Sequence, residues 1–231
     1  MRIYRLLLSL IFPPRCPFCG KAIPHGLQEC EECTDKLPIV TGEICPRCGR
    51  ERVLCHCTGR EFTFERCVAP FYYEGVVRRS IIACKFHARQ SSAAVYGRYA
   101  AAVVLREYAQ ERFDFVTFVP LTRAEYRKRG FNQSELVARS LAHALGLPCR
   151  AVLQKPVDIA PQRTLPALER WSNVSGAFCA NTRMRSGQLR GKNVLLADDI
   201  ATTGATLSDC ARALKEVGTR RVYCVVLACV K

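Results

Sequence analysis

Two adjacent carboxylates, Asp198 and Asp199, end an apolar run and open a threonine loop in the stretch VLLADDIATTGAT. Carboxylates bind sugar hydroxyls and, usually through water, a divalent cation such as Mg2+. In the loop, Thr202, Thr203 and Thr206 supply hydroxyl donors, and Gly204 lets a ligand approach the backbone. A helix beginning near Gly204 would aim its free amides and dipole at an anion. A sugar phosphate satisfies both halves, with the acids on the ring and the loop on the phosphate. Capping a helix needs one such residue rather than a series of them. The rival nucleotide signatures G-x-x-x-x-G-K-[ST] and G-x-G-x-x-G are absent.

A second chemistry lies near the N-terminus, where eight of the 15 cysteines fall between Cys16 and Cys57. Cys16/Cys19 and Cys30/Cys33 form two C-x2-C knuckles that suit one tetrahedral zinc. Cys45/Cys48 with Cys55/Cys57 suit a second zinc. That set is less regular, since C-x-C replaces C-x2-C, and His56 is an alternative ligand. Disulfides are disfavoured in a chain without an export signal. A segment this small has little core, so metal binding supplies its folding energy and both zincs are structural. Cys210, Cys224 and Cys229 sit in apolar contexts and read as small core residues. Cys84 and Cys149 have no base partner in sequence.

Positioning the acids requires a sheet. From about residue 65 the pattern alternates: strands at CVAPFYYEG and FDFVTFVP, and helices at SSAAVYGRYAAAVVLREYA and NQSELVARSLAHALG. NVLLADD, a helix from about Gly204 to Val217 and a last strand RVYCVVLACV follow. Strands separated by helices argue for an α/β fold, a mostly parallel sheet flanked by helices. An apolar run buried on both faces puts the acids at the carboxyl end of a central strand, where open α/β sheets hold ligands. Neighbours on a strand point to opposite sides, so the two carboxylates can differ in role. QKPVDIAPQRTLPALERWSNVSG, with Trp171, reads as an irregular excursion that forms a hood. The expected division is a zinc domain over 1–60 and a ligand-binding domain over 61–231. No apolar run reaches the roughly eighteen residues of a membrane-spanning helix. Leu6 to Phe12 lacks a signal-cleavage pattern and reads as a short packed helix, so the expected location is cytoplasmic.

The formal charge is +15. Residues 1–60 hold nine basic and six acidic side chains, and 61–231 hold 26 and 14. Eight thiolates and two Zn2+ take the first part to about −1, so the positive field belongs to the second. That field suits phosphorylated ligands and single-stranded DNA. Its candidate carriers are Lys85, Arg123 and the cluster Arg127-Lys128-Arg129, the last in a loop expected to close over the ligand. Tyr126 and Phe131 flank the cluster and could stack on bases, though Phe131 reads equally as core. No helix-turn-helix or other sequence-reading module is present.

VLLADDIATTGAT resembles the ribose-phosphate motif of type I phosphoribosyltransferases. With the cysteine-rich head, VPLTRAEYRKRGFNQSELVARSLA and PQRTLPALERWSNVSGAF, nearly the whole chain resembles the ComF competence-protein family. The resemblance implies a double zinc ribbon followed by a phosphoribosyltransferase domain that binds phosphoribosyl pyrophosphate with Mg2+. Asp198 and Asp199 would hold its ribose hydroxyls, and Ala201 to Thr206, including Ala205, its 5-phosphate. The turn Leu121, Thr122, Arg123 would approach the pyrophosphate. Members usually carry a histidine where Thr122 stands. The resemblance also implies a role in natural transformation, with incoming single-stranded DNA and other DNA-uptake proteins as partners. Three functions follow: a phosphoribosyltransferase, a single-strand-binding competence factor using the fold as a scaffold, or a zinc-ribbon adaptor. The acceptor of any transfer is not written in the residues.

Overall fold

The computed structural model of the chain describes residues 13–55, 57, 61–84, the backbone of 85–87, and 92–156, 176–181 and 187–231. The expected helix at Leu6 to Phe12, His56, the side chain of Lys85 and Trp171 lie outside the described residues. None of the described helices is long and apolar enough to cross a membrane.

The larger part is a parallel sheet. Strands β1 (Cys67–Val68), β2 (Phe71–Tyr72), β3 (Phe115–Phe118), β6 (Asn193–Ala201) and β7 (Arg221–Cys229) run β3-β6-β7, with β1 and β2 both on the far edge of β7. Val194, Leu195 and Leu196 are fully buried because both faces of β6 are covered. Val194 and Leu196 pack toward helix α6 (Ala205–Glu216), with Leu207, Cys210 and Leu214. Leu195 and Ala197 pack toward helices α3 (Ala93–Glu107) and α5 (Gln133–Leu145). These two helices touch closely at Gly97, where a Cβ would lie 2.4 Å from the Ser140 side chain. The α/β fold with a mostly parallel sheet is as the sequence indicates.

Three local expectations are corrected. The run CVAPFYYEG is two short strands rather than one, split at Ala69-Pro70, since proline has no N–H to continue a ladder. Gly75–His87 forms helix α2, which the alternating pattern had not separated from that strand. Residues 123–129 form helix α4 rather than a loop. Its residues have no buried side to betray it; the helix exists through its ends. The Thr122 side chain accepts from Glu125 N, the Glu125 carboxylate accepts from Thr122 N, and Gly130 closes the other end in the left-handed region at φ 75°.

Two short strands, β4 (Leu153–Gln154) and β5 (Cys179–Ala180), pair antiparallel at the foot of the expected excursion. The cysteine-rich segment, with a one-turn helix α1 (Glu31–Thr34) that begins after Cys30 and carries Cys33 of its second knuckle, packs on the sheet edge and on α2 and α3. Ile39 bridges Phe71 and Gly49 bridges Val68, so this segment covers the edge that β1 and β2 would expose.

Candidate functional site

The acids stand on β6 near its carboxyl end. Asp198 is buried and Asp199 half-buried. Asp198 Oδ1 accepts from Ser134 Oγ at 2.7 Å and from the Asp199 backbone N at 2.8 Å. Ser134 reaches it because Asn132 caps α5: the Asn132 side chain accepts from Ser134 N at 3.0 Å and donates to Val119 O at 2.9 Å. One capping residue thus fixes the start of α5 against the end of β3 and aims a hydroxyl at the acid. Sequence reasoning missed Ser134, although a short polar residue just inside a helix start was its visible trace.

Asp199 lines a small cleft among Ile81, Tyr96, Gln133, Val137 and Leu227, between α2, α3, α5 and β7. The Gln133 side chain there is buried, and its amide nitrogen has no hydrogen-bond partner among the described residues. A buried donor left unpaired costs about 1–3 kcal/mol, so this amide is a place where a ligand oxygen would be welcome.

The threonine loop follows at once. Thr202 is exposed, Thr203, Gly204 and Thr206 are half-buried, and Ala201 and Ala205 are buried. Gly204 takes φ 83°, a conformation that favours glycine, and caps α6 without a side-chain bond. Thr203 Oγ1 accepts from Ala205 N at 3.4 Å, a long contact, so the first turn of α6 keeps amides to offer an anion.

The other described candidates lie in the segment between β3 and α5, with differing exposure. In the turn after β3, Leu121 is half-buried, Thr122 is buried and committed to its cap, and Arg123 is exposed. Arg127 and Lys128 are exposed and Arg129 half-buried on α4, and among the described residues none of the four basic side chains of this helix is in an ion pair. Tyr126 is exposed, whereas Phe131 is buried at 8% and takes the core reading rather than the stacking one. Glu125 pairs with Lys155 Nζ at 3.3 Å. Burial raises its carboxyl pKa, but the Thr122 N–H and Lys155 outweigh that and leave it lowered.

Both cysteine quartets are assembled. In each, the four sulfurs lie within 4.8 Å of one another. Tetrahedral zinc–thiolate bonds of about 2.3 Å put sulfurs about 3.8 Å apart. The Cys19–Cys30 sulfurs are 3.7 Å apart, Cys48–Cys55 3.9 Å and Cys45–Cys55 3.3 Å. Burial opposes ionisation in both sets, yet hydrogen bonds bring one thiol of each down to about 7, Cys16 and Cys55. Cys33 and Cys57 are raised, by burial first and then by neighbouring thiols. Four thiolates this close need a cation, and four soft donors without an open position describe a structural zinc rather than a catalytic one. Of the scattered cysteines, Cys210, Cys224 and Cys229 are buried core residues as expected, with their thiols raised by burial.

Comparison with known proteins agrees with this anatomy. A double zinc ribbon domain model matches residues 7–70, and a phosphoribosyl transferase domain model matches 105–230. The DNA utilization protein YhgH of Salmonella typhimurium is 28% identical over 227 residues, 96% of this chain and 93% of its own. The competence protein ComFC of Bacillus subtilis is 28% identical over 200 residues, 82% of this chain and 78% of its own. Among solved structures, a B. subtilis glutamine phosphoribosylpyrophosphate amidotransferase superposes with a TM-score of 0.38 at 22% identity. That match covers 58% of this chain and about a quarter of the other (26%), too loosely to carry an argument. Its sequence models and its sheet together place the chain in the phosphoribosyl transferase domain family, headed by a double zinc ribbon as in the ComF competence proteins it resembles.

Proposed function

We propose that the end of β6 and the start of α6 bind phosphoribosyl pyrophosphate with Mg2+, and that the protein uses this site in handling incoming DNA. In this reading residues 1–60 are a zinc-bound arm and 61–231 the ligand-binding body. The observation that carries it is the pairing of a buried carboxylate, held ready by Ser134 Oγ and the Asp199 N–H, with the amide-rich start of α6. Asp198 and Asp199 would hold the ribose hydroxyls, Thr202 to Thr206 the 5-phosphate, and Gln133 Nε2 a ligand oxygen in the cleft beside Asp199. Bound Mg2+ would neutralise the pyrophosphate and ease its departure. The acids are hard oxygen donors of the kind that ion prefers. Transfer would break the bond from ribose C1 to the pyrophosphate oxygen and form one from C1 to an acceptor. The leaving group takes the electron pair, and the positively charged sugar between the two states needs fixed negative charge rather than a strong base.

Calorimetric titration of the full chain with phosphoribosyl pyrophosphate and Mg2+ tests the reading. Saturable binding that disappears in Asp198→Asn/Asp199→Asn supports it. Absence of binding in the folded wild-type protein removes it.

A second reading, single-strand binding with the fold as scaffold, is favoured by α4: a short exposed helix with basic side chains and an exposed Tyr126. The names of the two relatives, a DNA utilization protein and a competence protein, point the same way. The two readings are compatible, with nucleic acid on α4 and the sugar phosphate at the start of α6, in a protein we place in the cytoplasm.

A further inference from the structure

The second cysteine quartet grips the phosphate loop of the sheet domain. Arg50 lies in the chain between Cys48 and Cys55, and its own carbonyl accepts from Cys45 N at 2.7 Å, so its backbone belongs to the cysteine turn. Its guanidinium leaves the ribbon altogether. Nη2 donates to Thr202 O at 2.5 Å, and Nε donates to Val230 O. Val230 N in turn donates to Ala201 O at 3.0 Å, so one fork joins both chain segments that frame the loop. A planar guanidinium can hold two carbonyls in fixed geometry, which a lysine ammonium cannot.

Two further contacts come from the other side of the same quartet. Phe62 packs against Cys45, Cys48 and Cys57, and its ring lies so near Gly204 that a Cβ there would come within 2.6 Å of it. Thr63 donates from its backbone N to Ser208 Oγ at 3.0 Å, and the two hydroxyls are also 3.0 Å apart. Residues within and just after the quartet therefore hold the loop at Thr202 and Gly204 and the first turn of α6 at Ser208. Among the described residues the first quartet makes no contact with 202–206, packing instead with Phe18 against Phe71, Tyr96 and Tyr99.

We infer that the second quartet, through Arg50 and Phe62, positions the loop 202–206 for its anion, so that metal at Cys45, Cys48, Cys55 and Cys57 is a requirement for sugar-phosphate binding and not only for ribbon folding. Among the described residues the apolar cluster there is the four cysteines and Phe62, so metal at the quartet ties its two halves together, beside the turn's own bonds from Cys45 N to Arg50 O and from Glu51 N to Tyr72 Oη. Loop amides that are not held in place must be ordered by the ligand, and affinity falls by that amount. Arg50 is a positioning residue: it acts through the loop backbone, and its charge adds to the field at the start of α6.

This inference rests on the sugar-phosphate reading for its consequence but not for its test. Amide hydrogen exchange of the ligand-free, zinc-loaded full chain reads the loop directly. In Arg50→Met and in Cys55→Ser, exchange across 202–207 is expected to rise about tenfold or more, the loss of a charge-assisted hydrogen bond. Cys30→Ser, in the first quartet, is expected to leave it unchanged. Arg50→Met should retain two zinc equivalents and, where wild type binds phosphoribosyl pyrophosphate, weaken it about tenfold. Unchanged loop exchange in Arg50→Met, or an equal rise in Cys30→Ser, overturns the inference. If Arg50→Met does not fold, Arg50→Lys and Phe62→Leu give the same readout under the same criterion. A wild type that ignores the ligand while Arg50→Met still loosens the loop would sink the proposed function and leave this coupling standing.

Discussion

Ser134 Oγ donates to Asp198 Oδ1 across 2.7 Å, although 64 residues separate them in the chain. Inside a protein such a bond to a charged group contributes about 1.5–3 kcal/mol. Ser134→Ala is expected to keep the fold and to weaken phosphoribosyl pyrophosphate binding about tenfold or more, because Asp198 loses a donor that favours its charged form. Titration calorimetry beside a melting curve separates this from unfolding. Unaltered affinity in a folded Ser134→Ala protein would show the bond to be incidental.

Gln133 offers a sharper discrimination. Its amide nitrogen is buried without a partner among the described residues, so replacing it with an apolar residue of similar size removes an unpaired donor that a bound ligand would otherwise satisfy. Gln133→Leu should therefore melt at the wild-type temperature or above it and bind the sugar phosphate about tenfold more weakly. Loss of stability without loss of affinity would give the residue a purely structural part.

Asp209 carries a stability prediction that no ligand enters. Buried on α6, it accepts from Gly176 N at 2.9 Å, Phe178 N at 3.0 Å and Arg212 Nε at 2.7 Å. Asp209→Ala strands those donors, at a cost on the order of 3 kcal/mol. For a chain of this length that is a fall in melting temperature of roughly 6–12 °C. A change below 2 °C, about that sensitivity for one bond, would mean the bonds are replaced by water.

The lowered carboxyl of Glu125 sets a pH dependence. Its folded value lies below the ordinary one, so its contribution is complete above the usual glutamate range near 4.3 and is lost as pH falls through the folded value. The difference in stability between wild type and Glu125→Gln should be constant from pH 6 to 8 and shrink below pH 5, followed by thermal unfolding of both proteins side by side. A difference that grows on acidification would reverse the sign and exclude the cap as its source.

On α4, replacing Arg127, Lys128 and Arg129 with glutamine should lower single-strand affinity and flatten its dependence on salt. With about 0.7 counterions released per phosphate contact on single strands, three lost contacts reduce the log–log slope by about 2. Fluorescence anisotropy across a salt series reads it, and parallel lines for the two proteins would move the DNA surface elsewhere.

What could be read from the chain was whatever is local. The strand-loop-helix of Val194 to Glu216 shows itself because burial, acids and anion loop succeed one another within a few residues. The cysteine quartets show themselves because knuckle spacing is set by metal geometry. Helix α4 escaped because RAEYRKR has no apolar face, yet its start was written as T-x-x-E, Thr122 to Glu125, the reciprocal cap that builds it. Helix α2 was hidden behind a strand that Pro70 had already broken. Ser134 against Asp198 and Arg50 against Thr202 could not be read at all, since both depend on the parallel crossover bringing distant segments to one end of the sheet.

The pairing of β4 with β5 has an evolutionary reading. Leu153 faces Ala180 and Gln154 faces Cys179, and Asp209 accepts from Gly176 N and Phe178 N just before β5, so the two strands are tied to each other and to α6. A connection whose two ends are paired costs the rest of the fold little when its length or wording changes. The tie at residues 153–154 and 179–180 thus works as a seam: substitutions in the chain that joins the two strands can accumulate while the parallel sheet and its two acids pass down untouched.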